Sequence, residues 1–140
     1  MSQRDKETVC RIPEEITTLG KLELIDEIFA PDFVEHSFPP SMGLAPGREG
    51  IRQYINMVRT GLPDVDLKVQ QIISEDDMVA VRNIGRGTHT GEFMGIAPTG
   101  NQVTWTETHI VRMANGQVVE HWVDADRLGL MQQLGVIPSD

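Results

Sequence analysis

The sequence predicts an α+β protein in which a curved antiparallel sheet packs against about three N-terminal helices around an internal pocket. Helical periodicity dominates up to about residue 61, whereas strand alternation dominates from about residue 64 onward. Helices segregated from a run of strands are typical of the α+β class. In addition, two long strand-like runs in residues 103–126 are joined at Asn115-Gly116, a strong hairpin signal. A strongly curved sheet wrapped against helices would form a cone with a cavity inside.

Three helices are predicted in the first half of the chain. The first ends at Gly20 and contains Pro13, which either lies in the first turn of a short helix or kinks a longer one. The second covers residues 22–30, and residues 32–36 follow it as a short extended piece. The third runs from residue 48 or 49 to about residue 60, with apolar side chains at helical spacing. These helices would cover one side of the sheet.

Four strands are predicted in the second half, at about residues 64–73, 78–86, 103–111 and 117–124. A long connection rich in glycine and proline surrounds Phe93 between the second and the third of them. Residues 128–134 are predicted to form a helical turn. With no internal repeat and no break in composition, residues 1–140 are expected to form a single domain.

Composition excludes several classes of function. The net charge of −9 argues against nucleic-acid binding, which depends on Lys and Arg contacts to phosphates. No apolar run approaches the length of a membrane span, and the N-terminus has no apolar signal region. The single Cys10 excludes an internal disulfide and fits a reducing compartment. The expected location is therefore the cytoplasm.

The two strands of the predicted hairpin each carry ionisable groups beside tryptophan. Because side chains alternate along a strand, one face of the first strand holds Val103, Trp105, Glu107, His109 and Val111. The same argument groups Val118, Glu120, Trp122, Asp124 and Asp126 on the second strand. Neither face suits a dry core or a plain solvated surface. The pattern favours an apolar pocket with a few ionisable groups.

Acid–base chemistry is the chemistry that these residues support. The sequence has no dinucleotide or Walker fingerprint and no nucleophile elbow, and the spacing of its four histidines favours no metal site. A carboxylate in an apolar pocket has a raised pKa and can act as a general acid or base near pH 7. The structural alternatives are a solvated strand end for Asp124 and Asp126, a hydrogen-bonded buried side chain for His109, and core packing for both tryptophans.

Several motifs together resemble a known family over nearly the whole chain. They are Asp32-Phe33-Val34-Glu35-His36, Pro46-Gly47-x-Glu49-Gly50, Leu62-Pro63-Asp64, Val79-Ala80-Val81-Arg82, Gly87-Thr88-His89-Thr90-Gly91-Glu92-Phe93-x-Gly95-Ile96-x-Pro98-Thr99-Gly100 and Glu120-His121-Trp122-x-x-x-Asp126-x-x-Gly129-Leu130-x-x-Gln133-Leu134-Gly135. This pattern resembles the SnoaL-like polyketide cyclase family. The resemblance implies the cone shared with nuclear transport factor 2 and ketosteroid isomerase, and a cofactor-free enzyme.

The resemblance also implies a reaction and its residues. The best-known members of the family close a ring in an aromatic polyketide ester by intramolecular aldol condensation, using a pocket aspartate to remove an acidic proton. The Trp-x-x-x-Asp pattern matches that base to Asp126, with Asp124 as a rival and His109 as an assisting group. Further candidates for substrate contact are Trp105, Glu107, Trp122, Phe33, His36, Met57, Arg82, His89 and Phe93. The expected ligand is a small apolar or aromatic carbonyl compound, and relatives imply a homodimer.

Two other functions remain open from the sequence. One is an epoxide-hydrolase-like enzyme that adds water, for which Arg82 beside a carboxylate would be the sign. The other is a non-catalytic binding module for a small apolar molecule. In that case Asp126 and His109 would point outward or be neutralised by ion pairs.

Overall fold

The first helix contains Pro13 within its length. A computed structural model of the chain describes residues 2–138. Helix α1 (Ser2–Arg11) runs directly into a π-helical segment (Ile12–Thr17). Proline has no N–H and its ring crowds the preceding turn, so an ordinary α-helical turn is disfavoured there. The wider turn is closed by the Thr18 N–H, which donates to the Pro13 carbonyl at 3.1 Å. Pro13 therefore interrupts a longer helix, the second of its two predicted positions.

The segment after this helix is organised differently from the prediction. Helix α2 (Leu24–Ile28) is shorter than expected, and strand β1 (Phe29–Glu35) follows it without a loop. Pro31 therefore lies within a strand rather than stopping the helix. A short 3-10 turn (Pro40–Met42) leads to helix α3 (Gly47–Gly61), which matches its prediction closely.

The remaining elements form the sheet and the final helix. They are β2 (Asp66–Glu75), β3 (Met78–Thr88), β4 (Gln102–Ala114), β5 (Gln117–Ala125) and α4 (Arg127–Gln133). The strand order is β1-β5-β4-β3-β2, so the chain confirms the predicted α+β class with a curved, open sheet. β1 adds a fifth strand and pairs in parallel with β5, whereas every other pairing is antiparallel.

The predicted hairpin between β4 and β5 is confirmed. Asn115 and Gly116 both have positive φ angles, of +53° and +78°. A two-residue turn needs such angles to match the twist of its flanking strands, and Asn-Gly adopts them readily. This turn places the ends of β4 and β5 side by side.

A β-bulge in β5 reverses the predicted faces of that strand. Met113 pairs with Val118, but the preceding residue, Arg112, pairs with Glu120, so Val119 is an extra residue. Beyond the bulge, His121 lies on the covered face and Trp122 on the open face of the sheet. The prediction that Val118 and Trp122 share a side is therefore wrong. The alternation predicted for β4 is confirmed by its burial pattern.

The helices cover one face of the sheet and form two clusters of buried side chains with it. One cluster includes Ile16, Ile25 and Val118, and the other includes Leu62, Trp105 and Leu130. Tyr54, on α3, packs against both clusters. None of the helices within residues 2–138 is long and apolar enough to cross a membrane.

Candidate active site

A cavity lies between the covered face of the sheet and the helices. It offers about 100 Å³ to the centres of water-sized molecules, and its wall is mostly apolar. Trp105 and Phe93 contribute aromatic surface to this wall. The polar and ionisable side chains of the wall are Thr17, Tyr54, Asn83, Glu107, His109, His121, Asp126 and Arg127. A largely apolar wall with a few polar groups is typical of a ligand site.

Four ionisable side chains beside the cavity form a continuous hydrogen-bonded chain. Glu107 Oε1 lies 2.6 Å from His109 Nε2, and His109 Nδ1 lies 2.7 Å from His121 Nε2. His121 Nδ1 then lies 2.5 Å from Glu35 Oε1. We call this arrangement the Glu–His–His–Glu chain. All four side chains are buried or nearly so, the most exposed being His109 at 21 %.

The strand pairings explain why these four side chains meet. Alternation along β4 puts Glu107 and His109 on the covered face. The bulge in β5 turns His121 to that same face. Its partner on β4 is Val111, two residues from His109. The parallel pairing of β1 with β5 sets Glu35 directly beside His121. The Glu–His–His–Glu chain therefore depends on three strands and on the β-bulge in β5.

The two carboxylates at the ends of the Glu–His–His–Glu chain accept further hydrogen bonds. Trp105 Nε1 donates to Glu107 Oε2 at 3.0 Å, and the Ser37 backbone N–H donates to Glu35 Oε2 at 3.0 Å. Every carboxylate oxygen and ring nitrogen of the chain thus has a partner. Such complete pairing is what allows charged groups to be buried.

The hydrogen bonds of the Glu–His–His–Glu chain need one proton more than two neutral imidazoles and two ionised carboxylates carry. Its three hydrogen bonds require three protons, whereas two neutral imidazoles supply two. Burial alone would raise the pKa of Glu107, but hydrogen bonds from His109, Trp105 and Asn83 hold it below its usual value. Burial lowers the pKa of His121 and outweighs its hydrogen bond to Glu35. The ionised Glu107 carboxylate therefore accepts hydrogen bonds from both Trp105 Nε1 and His109 Nε2.

This arrangement limits what His109 can do directly. Both of its ring nitrogens are occupied, by Glu107 and by His121. In this geometry no N–H of His109 is free to donate to a ligand oxygen. Its ring nevertheless forms part of the cavity wall.

Asp126 retains one carboxylate oxygen without a hydrogen-bond partner among the described residues. It follows β5 and caps helix α4, where its Oδ1 accepts a hydrogen bond from the Gly129 N–H at 2.9 Å. Its Oδ2 accepts no hydrogen bond from any residue in the described range 2–138. Asp126 is solvent-exposed and contributes to the cavity wall, which places it at the opening. Glu107, the other carboxylate of the wall, has both oxygens occupied.

Other predicted site residues lie on the open face of the sheet, away from the cavity. Trp122 stacks on His36 with ring centroids 4.8 Å apart. His36 Nε2 lies 2.7 Å from Glu120, which also accepts from Arg112. Asp124 and Arg82 are exposed, and neither contributes to the cavity wall. Arg82 forms no ion pair within residues 2–138, so the sign expected for an epoxide hydrolase is not found there.

Three further candidates lie inside the protein without reaching the cavity. His89 is fully buried and bonds through Nδ1 to Thr99. Phe33 packs edge-on against Phe29 in the first core cluster, and Met57 packs against the second cluster. Among the predicted residues, the cavity brings together Trp105, Glu107, His109, Phe93 and Asp126.

The sequence analysis did not single out His121, Glu35, Tyr54, Asn83 or Arg127 as site residues. Glu35 and His121 lie in motifs that carry the family resemblance, and Asn83 alternates in phase with the buried Val79 and Val81. Tyr54 belongs to the apolar stripe of α3. A local signal was therefore present for these four residues, whereas nothing marked Arg127.

The free energy of unfolding is expected to fall as the pH is lowered from 7 to 5. The pKa of His121 is depressed below its ordinary 6.5 by burial in the folded state, whereas the unfolded chain titrates near 6.5. The unfolded state therefore binds more protons below pH 6.5, so stability is lost as the pH falls toward the folded pKa. Urea denaturation at pH 7, 6 and 5 measures this. A free energy that stays constant or increases toward pH 5 would contradict the neutral assignment of His121.

Comparison with known proteins connects this site to a family. The profile of the SnoaL-like polyketide cyclase family matches residues 7–134. The chain belongs to the SnoaL-like polyketide cyclase family. Within the described part of the chain, no group of three or more His, Cys, Asp or Glu side chains is arranged to hold a metal ion.

Relatives of this SnoaL-like chain include both named enzymes and solved structures. It is 25% identical over 119 residues to the nogalonic acid methyl ester cyclase of Streptomyces nogalater, covering 83% of this chain and 87% of the relative. It is 34% identical to the aklanonic acid methyl ester cyclase of Streptomyces galilaeus over 59 residues, 42% of this chain and 41% of the relative. The structure of IdmH, a candidate polyketide cyclase from Streptomyces antibioticus, has a TM-score of 0.80 at 37% identity, covering 94% and 99% of the two chains.

Proposed function

We propose that this SnoaL-like protein is an enzyme that closes a ring in an aromatic polyketide ester by intramolecular aldol addition, without a cofactor. Asp126 is the general base. The observation that supports this choice is that Asp126 belongs to the cavity wall and that its Oδ2 accepts no hydrogen bond within residues 2–138. Family membership and the two methyl ester cyclases among its relatives support the reaction class.

In the proposed reaction Asp126 removes a proton from a carbon that lies between two carbonyl groups of the ligand. The resulting enolate carbon attacks a ketone of the same molecule, so a carbon–carbon bond forms and the ketone oxygen becomes an alkoxide. The protonated Asp126 then returns its proton to that alkoxide. Proton transfer by a positioned side chain accelerates such steps by about 10²- to 10⁴-fold. The product is an isomer of the substrate.

The Glu–His–His–Glu chain acts in this proposal as a fixed wall beside the reacting carbons. His109 is held by two hydrogen bonds, so it orients the site instead of exchanging protons with the ligand. Trp105 and Phe93 provide apolar surface for a flat ring system. Asp124, Trp122, His36 and Arg82 have no role in this proposal.

Nogalonic acid methyl ester and aklanonic acid methyl ester are the substrates for a direct test. Each is incubated with the protein, and products are separated by liquid chromatography with mass detection. We expect a new species that has the mass of the substrate but a different retention time. Neither ester isomerising at equimolar protein would contradict the cyclase proposal. Binding of an ester without isomerisation would support the non-catalytic binding module instead.

We also propose that the protein is a homodimer that associates through the open face of the sheet. Ile73, Ala80, Ile110 and Trp122 are successive partners across four neighbouring strands. They form an apolar row on this face, with Ile73 70 % and Ile110 41 % exposed. A continuous exposed apolar patch of this kind is typical of a protein–protein interface.

Replacing Ile110 by lysine is expected to convert the dimer to a monomer, because a buried interface would have to accommodate an unpaired charge. Leu19→Lys is the matched control, since Leu19 is also exposed but lies outside the sheet. Analytical ultracentrifugation of wild type and both variants measures the association. Sedimentation of the wild-type protein as a monomer at about 100 μM would contradict the proposal, because a stable dimer is expected to be formed at a concentration of that order.

We further infer a single domain, because Tyr54 packs against both core clusters and joins them. A cytoplasmic location is consistent with the unpaired Cys10.

A further inference from the structure

The cavity wall holds a phenol and a guanidinium that make no side-chain hydrogen bond within residues 2–138. The Tyr54 hydroxyl makes no hydrogen bond with any residue from 2 to 138, although its ring is held by stacking on Phe38 at 4.7 Å. Arg127 makes neither an ion pair nor a hydrogen bond within the same range. Arg127 is also the only lysine or arginine side chain in the described cavity wall.

The two donors belong to the wall of the same cavity. The charge of Arg127 acts on the Tyr54 phenol and lowers its pKa, against a larger upward effect of burial. Because Tyr54 and Arg127 line one cavity, both can act on the same ligand group.

The protonation state of Tyr54 is suited to donation. Burial, together with the negative charges of Glu107 and Glu35, raises the pKa of the phenol to about 12. Tyr54 consequently keeps its proton at neutral pH and presents an O–H to the cavity. A cation and an O–H donor without protein acceptors, in a mostly apolar wall, favour binding of a negatively charged oxygen.

We propose that Tyr54 and Arg127 form a donor pair that binds an anionic oxygen of the ligand, either a carboxylate or the ionised hydroxyl of an aromatic enol or phenol. This inference deepens the proposed function, on which it rests, because it names the ligand group that the same cavity recognises. The pair is separate from the proposed base, Asp126, and from the Glu–His–His–Glu chain. A neutral ester group alone would leave the charge of Arg127 uncompensated.

Equilibrium binding of three anthraquinones tests the donor pair without requiring turnover. Anthraquinone-2-carboxylate supplies a carboxylate, its methyl ester is the neutral control, and 1,2-dihydroxyanthraquinone supplies an ionisable phenol. Binding is followed by quenching of tryptophan fluorescence at neutral pH, and ionisation of the bound dihydroxy compound is followed by its absorbance. The proteins are wild type, Arg127→Gln, Tyr54→Phe and Arg86→Gln, the last being an exposed arginine outside the cavity.

We expect Arg127→Gln and Tyr54→Phe each to weaken the binding of an anionic probe by about ten- to hundredfold, as for loss of a hydrogen bond to a charged group. The methyl ester should be unaffected, and Arg86→Gln should bind all probes like wild type. The probe that loses affinity identifies the recognised group as a carboxylate or as an ionised hydroxyl.

Three results would overturn the donor pair: unchanged affinity of both anions in the variants, an equal loss for the methyl ester, or no binding of any probe to wild type. Far-UV circular dichroism confirms that each variant is folded. Isomerisation of a methyl ester by wild type, combined with any of these results, would refute the donor pair alone. Loss of anion binding in the variants, without any isomerisation by wild type, would refute the cyclase proposal alone.

Discussion

Asp126→Asn is expected to reduce kcat for ester isomerisation by about 10²- to 10⁴-fold, the contribution of a positioned general base. Asparagine has no group that can take the carbon-bound proton. Its side-chain oxygen can still accept the hydrogen bond from the Gly129 N–H, so the cap of α4 and the fold should be retained. Initial rates under saturating ester, with thermal unfolding as a check on folding, provide the measurement.

Asp124→Asn separates the two acids that the sequence offers as bases. Asp124 lies two residues earlier on β5, is exposed and is not part of the cavity wall. We expect this variant to keep at least half of the wild-type rate, an effect within about 0.4 kcal/mol of the wild-type barrier. The opposite result, an active Asp126→Asn and an inactive Asp124→Asn, would move the base to Asp124.

His121→Phe is expected to destabilise the protein by about 3 kcal/mol, because a buried carboxylate loses its hydrogen-bond donor. The substitution leaves the Glu35 carboxylate, only 8 % exposed, without its imidazole partner. It also leaves His109 Nδ1 without a hydrogen-bond partner. The free energy of unfolding in urea at pH 7 measures the loss.

His36→Phe is the matched control for that measurement. It removes an imidazole–carboxylate contact of similar length, but in the monomer the His36 and Glu120 side chains are 36 % and 25 % exposed, so both variants are compared in the monomeric Ile110→Lys background. Water can replace that contact, so the change in stability should be small. Adding Glu35→Gln to His121→Phe should restore part of the lost stability by removing the buried charge. Equal losses in His121→Phe and His36→Phe would show that the buried chain has no special importance for folding.

Much of this fold can be predicted from local patterns. Helix α3 and the β4–β5 hairpin follow directly from periodicity and from Asn115-Gly116. The covered face of β4 follows from alternation alone, which correctly brings Trp105, Glu107 and His109 together. In these elements the signal lies within a few residues, and tertiary packing agrees with it.

The rest depends on contacts between distant parts of the chain. Glu35 meets His121 across 86 positions, through a parallel pairing that no local pattern specifies. The bulge at Val119 has no glycine or proline to mark it, and yet it exchanges the faces of every later residue in β5. For this reason Trp122 was predicted inside and is outside, whereas His121 was overlooked. The sequence indicates only an extended piece for β1, because the pairing of β1 with β5 joins residues that lie far apart in the chain.

Deletion of Val119, the extra residue of the β-bulge, would affect the curvature of β5 but not which of its later side chains face the cavity. Pairing between β4 and β5 is regular on both sides of it, so its deletion would leave His121, Val123 and Ala125 facing inward. The same deletion would remove a local bend and change the curvature of the strand. Protein engineers could therefore change the width of the cavity at this backbone position, and with it the size of the molecules admitted. The chemical groups of the cavity wall would stay the same.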